Sequence, residues 1–173
     1  WAVLFEPAIA QDRDALKEAY RRPLDIPFPN SAPYSPQLAT LGKMLFFDPR
    51  LSVDNSISCA HCHNLDEKGG ADALRHSFGV QGREGLVNAP TVFNSALNST
   101  QFWDGRAKSL EDQVDGSVQA HAEMASTWPQ VVEKLRADAE YRRLFLRSYK
   151  TDINPAKVVW EIKTKTTNSR KTF

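Results

Sequence analysis

The chain has 173 residues, with 22 Lys and Arg against 21 Asp and Glu for a formal net charge of +1, and 41% of it is hydrophobic. That length suits one domain able to bury about 70% of the surface its unfolded chain exposes, and no apolar run approaches the ~20 residues that span a bilayer. Four cations, Lys163, Lys165, Arg170 and Lys171, lie in a tail with no acidic residue and leave 18 basic against 21 acidic residues elsewhere, which argues against a nucleic-acid-binding surface.

The opening Trp1-Ala2-Val3-Leu4-Phe5 lacks the charged n-region and long h-region of a signal peptide. It reads as a mature sequence whose export signal is absent. Asp12 to Arg22 is polar, with Leu16 and Tyr20 four apart, which predicts a short surface helix. Pro23 to Pro36 holds five prolines among few periodic residues and predicts an extended strap. Residues 1–36 are therefore read as helix and strap, 37–162 as the body of the domain and 163–173 as a basic tail. Ser35-Pro36 supplies an N-cap followed by proline at N1. Leu38, Leu41 and Leu45 then recur at i, i+3 and i+7, a helix with one buried stripe that Asp48-Pro49 ends.

Residues 59–63 read Cys-Ala-His-Cys-His and contain both cysteines of the chain. C-x-x-C-H is the attachment signature of a c-type haem. Each thiol adds to a vinyl group, which fixes the macrocycle beside His63 and places its imidazole for ligation of the iron. Two other readings compete. A structural zinc site wants four ligands, usually from two separated pairs, and no second pair follows. A redox Cys-x-x-Cys belongs in a βαβ context, which this sequence lacks. His61 reads as a solvent-facing spacer. Haem attachment of this kind normally follows export, so the periplasm is the expected compartment.

Residues 64–88 carry five glycines and little periodicity, which predicts a loop wrapping the haem. Helices resume at Ser109 with Asp112, which resembles a capping box, and at Thr127 with Gln130, a better one. Val131, Val132 and Leu135 line the second of these. Tyr141, Leu144, Phe145 and Tyr149 make another stripe, and Asn154-Pro155 opens a last helix through Val158, Val159 and Ile162. The fold class is mostly α, a cytochrome c-like haem domain with long loops around a covalent haem.

With these segments in place, the chain resembles the bacterial di-haem cytochrome c peroxidases and their MauG-type relatives. The stretches that carry the resemblance are Leu41 to Ser52, Ile57 to Asn64, Gly69-Gly70-Ala71-Asp72, Asn88 to Asn94, Gln101 to Ala107, Val118-Gln119-Ala120 and Glu123-Met124. The strap, Ile26-Pro27-Phe28-Pro29 with Pro33-Tyr34, is most similar to the MauG-like branch. The resemblance implies two haem domains, an N-terminal one where peroxide reacts and a C-terminal one that receives electrons. One C-x-x-C-H is present, so the chain resembles the peroxidatic domain alone. Its end, Lys163 to Phe173, departs from the family pattern.

Several roles follow from the resemblance. His63 is the proximal ligand. Val80 stands where many members have a distal histidine, and valine cannot ligate; His76 and His121 are the candidate substitutes, each against the reading of a surface residue. Glu123 matches the distal glutamate that moves a proton during O–O cleavage. Gln113 matches the distal glutamine that orients peroxide. From spacing alone both would be placed on a solvated helix face. Ser117 replaces the usual proline between Gly116 and Val118. Trp103 is implied in electron delivery between haems, against the reading of a buried core aromatic with its N–H satisfied. Asn88 matches a position that helps bind an interdomain calcium, which takes oxygen ligands; one oxygen is not a site.

The expected cofactors are haem c and, with the second domain, calcium. The expected partners are hydrogen peroxide, a small cytochrome c or cupredoxin as donor, and the second haem domain, with a homodimer left open. The first reading is reduction of peroxide to water. A MauG-type oxidation of another protein is the runner-up, and an electron-transfer cytochrome c is the third. A missing distal histidine argues against the third, because transfer cytochromes usually keep both axial positions filled.

Overall fold

In a computed structural model of the chain, residues 8–21, 35–159 and 162 are described. The predicted strap lies outside them up to residue 34, as does the tail 163–173. The chain divides into two units, Trp1–Pro33 and Tyr34–Phe173. In the first, α1 (Ala8–Ala19) begins four residues before the expected Asp12. Lys17 pairs with Asp14 at 2.9 Å, while Leu16 and Tyr20 are exposed, as a surface helix requires.

The second unit starts with α2 (Pro36–Phe46). Ser35 Oγ accepts the Leu38 N–H, and Pro36 occupies the first turn, where its missing N–H costs no bond. Ala39, Leu41, Leu45 and Phe46 are buried. Proline at 49 disfavours helical backbone at the residue before it. Asp48 is accordingly extended and caps a 3₁₀ turn, Pro49–Leu51, through its carboxylate.

After the loops come α4 (Leu110–Gln119), α5 (Trp128–Ala137) and α6 (Ala139–Tyr149); α3 is the single turn Cys59–Cys62. Ser109 Oγ caps α4 by accepting the Asp112 N–H. Asp112 does not complete the box, because its carboxylate takes the Lys108 N–H instead. At α5 the box is complete, with Gln130 Oε1 accepting the Thr127 N–H at 3.1 Å. Asp138 Oδ1 caps α6 by accepting two backbone N–H groups. Asn154 does the same for the helical residues 155–159 through the Lys157 N–H.

The apolar stripes of these helices meet in one core that contains Leu41, Leu45, Leu51, Val131, Leu135, Tyr141, Phe145 and Val158. A polar clamp crosses it. The buried Asp48 carboxylate accepts from Arg50 Nη2 at 2.7 Å and from the Tyr141 hydroxyl at 2.8 Å, and Arg50 Nη1 reaches Asp138 at 2.8 Å. A buried carboxylate is tolerated when it is paired in this way. Lys134 donates to the carbonyls of Arg50, Ser52 and Val53, tying α5 to the loop that leads into α3. Extended pairing among the described residues is confined to three isolated antiparallel bridges, Asn64↔Ala71, Phe78↔Glu84 and Gln101↔Ala107. The architecture is mostly α.

Candidate haem site

The loop anchored by Lys134 delivers α3. Ser52 Oγ accepts the Ser56 and Ile57 N–H groups, and buried Ile57 holds the loop to the core. One helical turn follows, closed by His63 N–H on the Cys59 carbonyl at 3.0 Å. Residues at i, i+3 and i+4 share a helix face. Cys59, Cys62 and His63 therefore project together, all half-buried. His61 is exposed, with Nε2 3.2 Å from the Phe78 carbonyl that the Cys62 thiol also approaches at 3.9 Å.

Both cysteines are free. Burial pushes the Cys59 thiol up to about 12 and the Cys62 thiol up to about 11, and nearby carboxylates reinforce each shift. Burial therefore favours the neutral thiol form of both. Among the described residues no group of three or more His, Cys, Asp or Glu converges to hold a metal ion.

His63 is set by the loop that follows. Its Nδ1 donates to the Gly70 carbonyl at 3.0 Å. Burial lowers its pKa, against the opposing effect of the Gly70 and Pro90 carbonyls. The imidazole is neutral, with Nδ1 protonated and the Nε2 lone pair free for a metal. Gly70 adopts φ +77, and a Cβ there would meet Val92 Cγ2 at 3.1 Å and Thr91 Oγ1 at 3.2 Å. Glycine is required by both conformation and space. Two thiols and a neutral imidazole on one face match what covalent haem c needs from a protein.

Glu123, Val80 and Gln113, the expected distal residues, form one connected wall. Val80 N–H donates to the Glu123 carbonyl at 2.9 Å, and Val80 is 0% exposed. This approach depends on Gly79, where any Cβ would collide with the carbonyl oxygens of Ala122 and Glu123. Arg83 spans the same contact, donating to the His121 carbonyl at 3.0 Å and to Gln81 Oε1 at 2.6 Å. Met124 N–H returns to the Ser117 carbonyl on α4, and Ser117 Oγ accepts from Gln113 Nε2 at 2.8 Å. Glu123 sits in a turn, not on the helix face that spacing suggested, and is half-buried. Its charge raises the pKa of Cys59, Cys62 and His63 alike, which places it near all three.

The candidate alternative ligands have other contacts. His76 Nδ1 pairs with Glu84 at 2.8 Å, and His121 is exposed. Trp103 is 63% exposed and donates its indole N–H to the Asn88 carbonyl at 2.9 Å. It is therefore not the buried aromatic of the competing reading, although its N–H is satisfied. Asn88 is itself exposed. Phe102, which precedes Trp103, packs against Gly116 of α4 and lies under the Arg106 guanidinium, 3.6 Å from the ring centroid.

Gly70, Gly79 and Asp72 were not singled out by sequence reasoning. The Gly69 to Asp72 stretch was visible as a motif, but nothing local says that its carbonyl holds the imidazole.

Comparison with known proteins bears on this geometry. The sequence profile of the family described as di-haem cytochrome c peroxidase matches residues 36–168. Cytochrome c peroxidase Ccp of Escherichia coli K12 is 48% identical over 124 residues, covering 71% of this chain and 26% of that protein. Cytochrome c551 peroxidase of Pseudomonas aeruginosa is 48% identical over 118 residues, covering 68% and 34%. Methylamine utilization protein MauG of Methylorubrum extorquens is 42% identical over 146 residues, covering 82% and 40%. The chain thus spans between a quarter and two fifths of these relatives. Among solved structures, a MauG-like protein associated with microbial copper homeostasis superimposes with a TM-score of 0.76 at 29% identity, covering 87% of this chain and 46% of that one.

Proposed function

The chain belongs to the di-haem cytochrome c peroxidase family, and on that premise we propose that residues 37–162 are its peroxide-reacting haem domain. The reaction is reduction of hydrogen peroxide to two waters, with two electrons arriving through a second haem domain and two protons from solvent. The observation that carries this reading is the single turn that brings Cys59, Cys62 and His63 together, with Glu123 close enough for its charge to act on all three.

Covalent haem c, held by Cys59 and Cys62, supplies the iron that exchanges electrons with peroxide and with the redox partner. His63, oriented by the Gly70 carbonyl on Nδ1, would supply the imidazole that holds the iron. Val80 has no side-chain group that could ligate and would leave room for peroxide. Glu123 takes the proton of the inner peroxide oxygen and returns it to the departing one; general acid–base help of this kind contributes about 10²–10⁴-fold. Gln113 has its amide N–H on Ser117, so Oε1 is free to accept from the peroxide O–H. Trp103, at the surface, gives electrons an aromatic route in.

The donor is a small cytochrome c or cupredoxin, and the compartment is the periplasm, because attachment at C-x-x-C-H follows export. Asn88 would offer one oxygen to a calcium, whose remaining ligands would come from outside this domain. A MauG-type oxidation of another protein is the second reading, favoured by the longer match to MauG, 82% of this chain against 71% for the E. coli enzyme. Anaerobic stopped-flow of the full-length protein with a reduced small cytochrome tests the first reading. Donor oxidation in step with peroxide loss is expected; a protein carrying both haems that leaves peroxide untouched contradicts it.

A further inference from the structure

Immediately after α3 the chain turns back on itself, and Asn64 pairs with Ala71 in an antiparallel bridge, its N–H on the Ala71 carbonyl at 3.0 Å. Here the pair is an isolated bridge, with Gly70 N–H on the Asn64 carbonyl at 2.7 Å, so Asp72 directly follows the segment that is bonded to His63 and Asn64. Asp72 is only 7% exposed. Its Oδ1 accepts the Leu74 N–H at 3.0 Å, while its buried Oδ2 has no hydrogen-bond partner. Lys68 places its ammonium on the Asp72 backbone carbonyl at 3.0 Å, not on the carboxylate.

A carboxylate oxygen left unpaired away from water costs stability, and a core position of this kind is ordinarily filled by an apolar residue. The Asp72 charge does reach its neighbours, acting on both Cys62 and His63. It is not the hydrogen-bond acceptor of the imidazole, since Nδ1–H already meets Gly70. What remains to it is electrostatic. Negative charge in a low-dielectric surrounding opposes the arrival of an electron at a nearby centre, and burial is one of the protein's levers on haem potential.

We propose that Asp72 is the buried charge that lowers the reduction potential of the iron held by His63, keeping it ferric until peroxide binds. This rests on the reading of His63 as the axial ligand. Ferric iron is the form that accepts peroxide for two-electron cleavage, so a charge that resists premature reduction keeps the site ready.

Spectroelectrochemical titration of the ferric/ferrous couple in the haem-loaded chain tests it. Asp72→Asn, which keeps an acceptor for the Leu74 N–H, is expected to shift the midpoint upward. Asp72→Ser is expected to do the same on a shorter side chain. Asp72→Glu keeps the charge and should stay nearer the parent. Because the carboxylate is buried, the shift should persist at high salt. Uncharged variants at or below the parent's potential, a Glu variant shifted as far as Asn, or loss of haem attachment in both uncharged variants would overturn the assignment. A parent chain without covalent haem would instead remove the reading beneath it.

Discussion

The Nδ1–H of His63 points at the carbonyl oxygen of Gly70, 3.0 Å away, and this contact fixes which imidazole nitrogen would be left for the proposed iron. The loop that makes it holds glycine at φ +77. Gly70→Ala places a methyl 3.1 Å from Val92 Cγ2 in a left-handed backbone, a strain of about 1–2 kcal/mol. Urea unfolding is expected to show that loss. The ferric spectrum of the loaded protein should also change, because the carbonyl that orients the imidazole must move with the backbone.

A second glycine joins the two halves of the distal wall. Gly79→Ala drives a methyl into the Ala122 and Glu123 carbonyls, and the flanking Val80 N–H bond to Glu123 cannot survive the separation. Overpacking of this kind costs about 1–3 kcal/mol. The variant should unfold at lower urea and react more slowly with peroxide, whereas Gly82→Ala, with open space around it but φ +68, should lose about 1–2 kcal/mol to backbone strain without separating the two turns.

Proton transfer is assigned to Glu123. Glu123→Gln is expected to keep haem and fold while slowing reaction with peroxide by about 10²-fold or more, about 2.7 kcal/mol of transition-state stabilisation. Gln113→Ala should cost less, since an amide orients but does not transfer a proton at neutral pH. Trp103→Phe should spare the peroxide step and slow only electron arrival, so it is measured in the full-length protein. Stopped-flow mixing separates these steps. A Glu123→Gln variant reacting at the parent's rate would remove that residue from the mechanism.

The polar clamp has its own signature. Tyr141→Phe removes one donor from buried Asp48, and a hydrogen bond to a charged group contributes about 1.5–3 kcal/mol. Chemical denaturation should show that loss. The second carboxylate of the clamp, Asp138, is held below the usual range by Arg50 and by the Tyr141 and Glu140 N–H groups. A pKa depressed on folding stabilises the native state above the unfolded value of about 3.9, and that help disappears as pH falls through the folded value. The stability gap between the parent and Asp138→Asn should therefore be widest near neutral pH and close on acidification. A gap that widened in acid would reverse the sign.

Much of this architecture was legible because it is local. Ser35-Pro36, Ser109, Thr127 with Gln130 and Asn154-Pro155 all mark helix starts, since capping chemistry lies within three residues of the cap. The stripes of α2, α5 and α6 were readable from period alone. Elsewhere local logic misled. The polar run from Asp12 hid the fact that Ala8, Ile9 and Ala10 also suit a helix, and Asp112 turned to Lys108 rather than Ser109. The shared face of Cys59, Cys62 and His63, which we propose holds the haem, is written in their spacing. The acceptor for the imidazole, the burial of Asp72 and the contact between Gly79 and Glu123 come from chain reversal and long-range packing, which spacing does not encode.

The most direct measurement is electron paramagnetic resonance of the ferric protein, produced in a host that matures c-type cytochromes and checked for covalent haem by staining after denaturing electrophoresis. A stained band and a mainly high-spin signal without prior reduction are predicted, because valine stands at position 80 and His76 is paired with Glu84. A colourless band would contradict attachment at Cys59 and Cys62, and a purely low-spin, bis-histidine spectrum would contradict the open axial position.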